Sequence, residues 1–94
     1  MRLFDGQDAD GEGPEFSIPI SNAFKSQKYT LFVAGELDGG TLSLELSPDN
    51  GATWLALADL EITAAGAYPV EFKATGVRAS LLGSTAPNVD AWLL

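Results

Sequence analysis

The stretch from Gly39 to Trp54, Gly-Gly-Thr-Leu-Ser-Leu-Glu-Leu-Ser-Pro-Asp-Asn-Gly-Ala-Thr-Trp, decides the fold. Leu42, Leu44 and Leu46 alternate with Thr41, Ser43, Glu45 and Ser47, the period-two pattern of a strand with one buried and one wet face. Gly39-Gly40 supplies a turn before it, and Pro48-Asp-Asn-Gly51 supplies one after it. Extended structure resumes at Thr53-Trp-Leu-Ala-Leu57, so Thr41 to Leu57 is expected to form a hairpin.

The same alternation recurs on both sides of this hairpin. Arg2 to Phe4 reads as a short first strand. Phe16, Ile18 and Ile20 share one face of a second strand, and Pro19, which lacks an amide proton, assigns that strand to an edge. Tyr29 to Gly35 is apolar on both faces, with Leu31 and Val33 opposed to Phe32 and Ala34, as in a central strand. Leu55 to Ala65 carries helix formers but is expected to be a strand with a bulge near Ala58-Asp59. Tyr68, Val70 and Phe72 form one further alternating set, Val77, Ala79 and Leu81 another, and Val89, Ala91 and Leu93 the last.

This pattern predicts an all-β chain: a single domain over residues 1–94, with about eight antiparallel strands in a jelly-roll-like sandwich. An immunoglobulin-like sandwich is the alternative, although the cysteine pair of antibody domains is missing. Residues 1–14 are expected to act as an N-terminal arm or loop, because Asp5 to Pro14 is rich in Gly and acid and holds nothing apolar larger than Ala9.

Composition narrows the function. Five basic residues against thirteen acidic ones give a formal net charge of -8, which repels nucleic acid and anionic lipid. There is no histidine and no cysteine, so the commonest general base, the commonest metal ligand and all thiol chemistry are missing. No segment has the length of a membrane span, and the residues after Met1 do not have the pattern of a secretory signal. The expectation is a soluble protein that is not an enzyme and carries no cofactor.

Three groups of residues invite a chemical reading. Ser47-Pro-Asp49-Asn-Gly51-Ala-Thr53-Trp54 is similar to the Asp-box hairpin that recurs in sialidases and other propellers. Its roles are structural: Asp and Ser or Thr oxygens bond turn amides, Gly takes positive φ, and Trp covers the hairpin base. One copy in a chain of this length excludes a propeller. Asp5, Asp8, Asp10 and Glu12 have oxygen ligands for calcium but lack EF-hand spacing, so no metal site is expected. Asp59 and Glu61 read as one exposed strand face rather than as a catalytic carboxylate pair.

Phase singles out three more residues. Trp92 and Leu94 fall on the opposite strand face from Val89, Ala91 and Leu93, and Leu82 is out of phase with Val77, Ala79 and Leu81. An apolar residue that cannot reach the core unless a bulge shifts its register marks a partner surface, so Leu82, Trp92 and Leu94 are the candidate interface.

Taken whole, the chain resembles the small β-sandwich virion proteins encoded among head and tail genes of tailed bacteriophages. The features that carry this are Leu3-Phe4-Asp5-Gly6, the Gly39 to Trp54 core, and Gly76-Val77-Arg78-Ala79 ending in Leu82-Gly83. The resemblance implies a capsid decoration or cement protein on the virion surface, soluble in the host cytoplasm before assembly. Its partners would be the major capsid protein or other virion proteins, and it would form a homo-oligomer. A tail, neck or fibre component is the nearest alternative. A carbohydrate-binding module using Trp54, Tyr68 or Trp92 as a stacking platform is an alternative of another class.

Overall fold

A computed structural model describes residues 1–19 and 25–94. Nine strands follow one another: β1 (Arg2–Gln7), β2 (Gly11–Glu12), β3 (Phe16–Ser17), β4 (Gln27–Glu36), β5 (Thr41–Ser47), β6 (Leu55–Ala56), β7 (Gly66–Phe72), β8 (Gly76–Leu82) and β9 (Asn88–Leu93). They build two antiparallel sheets. Sheet A has the order β1-β9-β4-β7, and sheet B the order β2-β8-β5-β6 with β3 also paired to β8.

Because β2 and β3 both lie along β8, they act as one interrupted strand, which makes eight in all. The chain then passes from sheet to sheet at nearly every connection, and only β5 and β6 are both consecutive and paired among the described residues. That is the order of a jelly roll. In an immunoglobulin sandwich the first two strands would share a sheet, whereas here β1 and β2 lie in different sheets.

The core fills from both inner faces. Sheet A contributes Leu31, Val33, Val70, Phe72, Val89, Ala91 and Leu93; sheet B contributes Leu42, Leu44, Val77, Ala79 and Leu81. These are the alternating sets expected from the sequence. Tyr29 to Gly35 is central as expected, between β7 and β9. Phe16 and Ser17 lie at the edge of sheet B, and Ile18 is buried beyond them. Ile20, the last apolar residue of that expected strand, lies outside the described residues.

Three expectations need correction. The first strand runs on to Gln7, with register shifts against β9 between Arg2 and Phe4 and between Phe4 and Gln7. The first shift lets two consecutive residues, Leu3 and Phe4, both enter the core. Nor is Asp5 to Pro14 a free arm, since Gly11 and Glu12 pair with Leu81 and Ser80 and the Gly13 amide donates to the carbonyl of Ala79 at 2.9 Å. Gly13 passes so close to β1 that a Cβ there would collide with the carbonyl oxygen of Leu3. Backbone pairing of this kind needs no apolar side chain, so hydropathy alone could not reveal it.

The third correction concerns Asp59 and Glu61, which do not share a strand face. The hairpin ladder reaches Leu57, whose amide donates to Leu44 at 2.8 Å, and it resumes only where Leu42 and Ile62 exchange bonds. The bulge expected near Ala58-Asp59 is therefore a longer excursion over residues 58–61. Asp59 turns it at φ 63°, a conformation that Asp tolerates better than most residues.

Candidate interaction faces

Each outer sheet face carries one tryptophan with an arginine laid over it. On sheet B, Trp54 caps the Ser47–Trp54 turn. The Ser47 hydroxyl donates to Asp49 Oδ1 at 3.0 Å and accepts from the Gly51 amide at 2.7 Å. Asp49 Oδ1 in turn accepts from the Thr53 amide at 2.7 Å, and Trp54 Nε1 donates to the Gly51 carbonyl at 3.0 Å. Gly51 sits at φ 94°, where a Cβ would be strained. All five expected turn residues therefore act together.

Thr75 ties this turn to the neighbouring strand: its hydroxyl accepts from the Asn50 amide and donates to the Ser47 carbonyl, both at 2.8 Å. The Arg78 guanidinium lies 4.5 Å from the Trp54 ring centre, with Glu45 at 2.6 Å and Glu15 at 3.4 Å. The ring and the charges around it are thus already partnered within the chain.

Sheet A is different. Arg2, Trp92, Phe32 and Ala67 stand opposite one another in register across all four strands, in one row on its outer face. Arg2 is held over Trp92 at 4.3 Å by Asp90 at 2.8 Å, Asp5 at 3.1 Å and the carbonyl of Phe4. Leu94 continues the β9 ladder by exchanging bonds with Thr30, which places it beside this row. Phe32 is 38% exposed and Leu94 69% exposed. With Val33, Ala34, Gly66 and Trp92 they line an open apolar depression of about 480 Å³.

Two of the three candidate interface residues, Trp92 and Leu94, thus lie together. Leu82 does not join them. It is exposed at the end of β8 on sheet B, beside Leu57, Leu60 and the 58–61 excursion, on the opposite side of the sandwich. Phe32 belongs to the sheet A row although sequence phase did not single it out. It is as far out of phase with Leu31 and Val33 as Trp92 is with Ala91 and Leu93, so the same signal was present. Arg2 gave no signal in the sequence.

The acids do not converge. Asp10 accepts from the Gly83 and Ser84 amides, both at 2.9 Å, and from the Ser84 hydroxyl, whereas Asp5 faces Arg2. Among the described residues no three acidic side chains are grouped to hold a metal ion. Asp10, Asp49 and Asp90 all titrate below the ordinary aspartate value. The causes are the Ser84 hydroxyl and amide for Asp10, the Thr53 hydroxyl and amide for Asp49, and the Gly6 amide followed by Arg2 for Asp90. Each is an ionised acceptor that fastens a turn.

Tyr68, on the inner face of β7, packs against the core and donates its hydroxyl to the Ala64 carbonyl at 2.7 Å. Among the described residues no helix is long and apolar enough to cross a membrane. Comparison with family models, with curated proteins and with solved structures yields no match.

Proposed function

We propose that this chain is a non-enzymatic assembly protein that binds other protein surfaces through the outer face of sheet A. The observation that carries this is the register row of Trp92 and Phe32 with Leu94 beside it, an apolar surface uncharged at its centre and supported by a rigid four-stranded sheet. Contiguous exposed apolar surface of this kind marks protein contacts, and a tryptophan beside an arginine is the usual composition of an interface centre.

The finer proposal is a virion structural protein, a capsid decoration protein of a tailed bacteriophage, and it rests on the sequence resemblance. The jelly-roll order is compatible with it, because such sandwiches build many capsid parts. The non-enzymatic reading draws support from the chain's lack of histidine and cysteine and from the direction of its perturbed carboxylates. All three are made stronger acids by turn bonds, whereas a general acid needs its value raised. A sugar platform gains less support, since any ligand stacking on Trp54 or Trp92 competes with Arg78 or Arg2 for the ring.

The decoration reading is tested on particles purified from the source of the gene. Mass spectrometry should find the chain in fixed stoichiometry, and particles lacking it should regain it when purified protein is added back. A chain absent from the particles, or one that does not reattach, would refute the virion role.

A further inference from the structure

We infer that the outer face of sheet A is a self-association face, and that its occupant is a second copy of this chain packed sheet against sheet. This rests on the reading of that face as a docking surface, and it adds the identity of the partner.

The first argument comes from the sheet edges. A second copy could join a jelly roll by extending a sheet, but each edge is interrupted. At the β7 edge, Thr30 directs both its amide and its carbonyl to Leu94 on β9. Its partner across the ladder, Pro69, therefore turns its own backbone away from β4, toward the open edge. The ring nitrogen has no proton to offer there, so an added strand would lose a bond at the middle of the ladder. The β1 edge is kinked by two register shifts. On sheet B one edge is split between β2 and β3, and at the other a two-residue β6 gives way to the 58–61 excursion. Strand addition is blocked, and association falls to a face.

The second argument is charge. Each copy carries -8, so two copies repel unless they meet where little of that charge lies. The outer face of sheet A meets this condition. Its basic residues stand against acids, Arg2 with Asp5 and Asp90, and Lys28 opposite Glu71. Between these pairs, Trp92, Phe32, Leu94 and Ala34 present no ionisable group. The corresponding depression on sheet B, beside Leu82, is bordered by Asp59 and Glu61 with no base among its lining residues. A second copy can therefore cover the sheet A face without burying an unpaired charge, which a copy placed on the Leu82 side would do.

This combination fixes an unusual salt response. An ionic interface weakens as salt rises, whereas an apolar interface between two acidic bodies strengthens, because screening removes their repulsion. Sedimentation equilibrium of the full chain from about 0.01 M to about 1 M NaCl, over which the Debye length falls from about 30 Å to about 3 Å, reads this directly. We expect a dimer whose Kd falls as salt rises. Leu94→Asp, at a site exposed enough to leave folding intact, should raise that Kd at least about tenfold with an unchanged melting temperature, and Phe32→Ser should do likewise.

A dimer that weakens with salt, or one untouched by both substitutions, overturns the proposal. So does a chain that stays monomeric throughout, and in that case particle attachment separates the two claims. If Leu94→Asp abolishes attachment, the face docks a different protein and only the second copy is refuted. If attachment is also unchanged, the docking surface itself is refuted.

Discussion

Replacing Ser47 by alanine is predicted to destabilise the domain more than its small size suggests. Ser47 is fully buried, and its hydroxyl joins the Asp49 carboxylate to the Gly51 amide while accepting a longer bond of 3.4 Å from the Asp49 amide. A neutral hydrogen bond contributes about 1 kcal/mol net and one to a charged group about 1.5–3 kcal/mol, but this turn is partly open and water can replace some of what is lost. Losing the two shorter bonds together should then cost about 2 kcal/mol. For a domain of this size that lowers Tm by roughly 8–16 °C. Thermal unfolding followed by circular dichroism measures it, with Ser43→Ala on the same strand as control. A Ser47→Ala protein within about 0.5 kcal/mol of wild type, the ordinary scatter of surface substitutions, would show that the hydroxyl does not hold the turn.

Gly51→Val should destabilise by about 1–3 kcal/mol through positive φ alone, since Trp54 and Glu15 leave ordinary contact space for a Cβ there; chemical denaturation checks this. Asp10→Ala should speed hydrogen exchange at the Gly83 and Ser84 amides and leave the Gly51 amide unchanged, and equal effects at both turns would contradict the assigned bonds. Because the values of Asp10, Asp49 and Asp90 are depressed on folding, their contribution to stability is fully present above the ordinary aspartate value near pH 4 and is lost as pH falls through the depressed values. Melting temperature measured against pH should drop below about pH 4, and the triple replacement by asparagine should flatten that drop. Millimolar calcium should leave the melting temperature unchanged, as Asp5 and Asp10 are engaged by different partners; a clear rise would require these acids to rearrange around the ion.

Much of the fold was legible because side-chain alternation reports which residues face the core. Leu42 and Leu44, Val77 to Leu81 and Val89 to Leu93 all lie where their phase placed them. The turn at Ser47 to Trp54 was equally readable, because its bonds form between neighbours in sequence. Pairings made by backbone alone were not legible. Gly11 to Gly13 carry no apolar pattern, and their place beside β8 depends on bonds to residues almost seventy positions away. Phase likewise says that Leu82 and Trp92 point outward but not toward which side of the sandwich, since that depends on the sheet each strand joins. The two residues face opposite ways because β8 belongs to sheet B and β9 to sheet A.

The central claim is that the sheet A face, and not the sheet B face, is covered on assembly, and the two tryptophans allow one measurement to test it. In a Trp54→Phe protein, Trp92 is the sole indole and reports from sheet A; in a Trp92→Phe protein, Trp54 reports from sheet B. Emission should be recorded for both as protein concentration rises from the monomeric to the associated range. We predict that Trp92 emission shifts to shorter wavelength as the face is desolvated while Trp54 emission stays fixed. A shift at Trp54 with none at Trp92 would contradict the account.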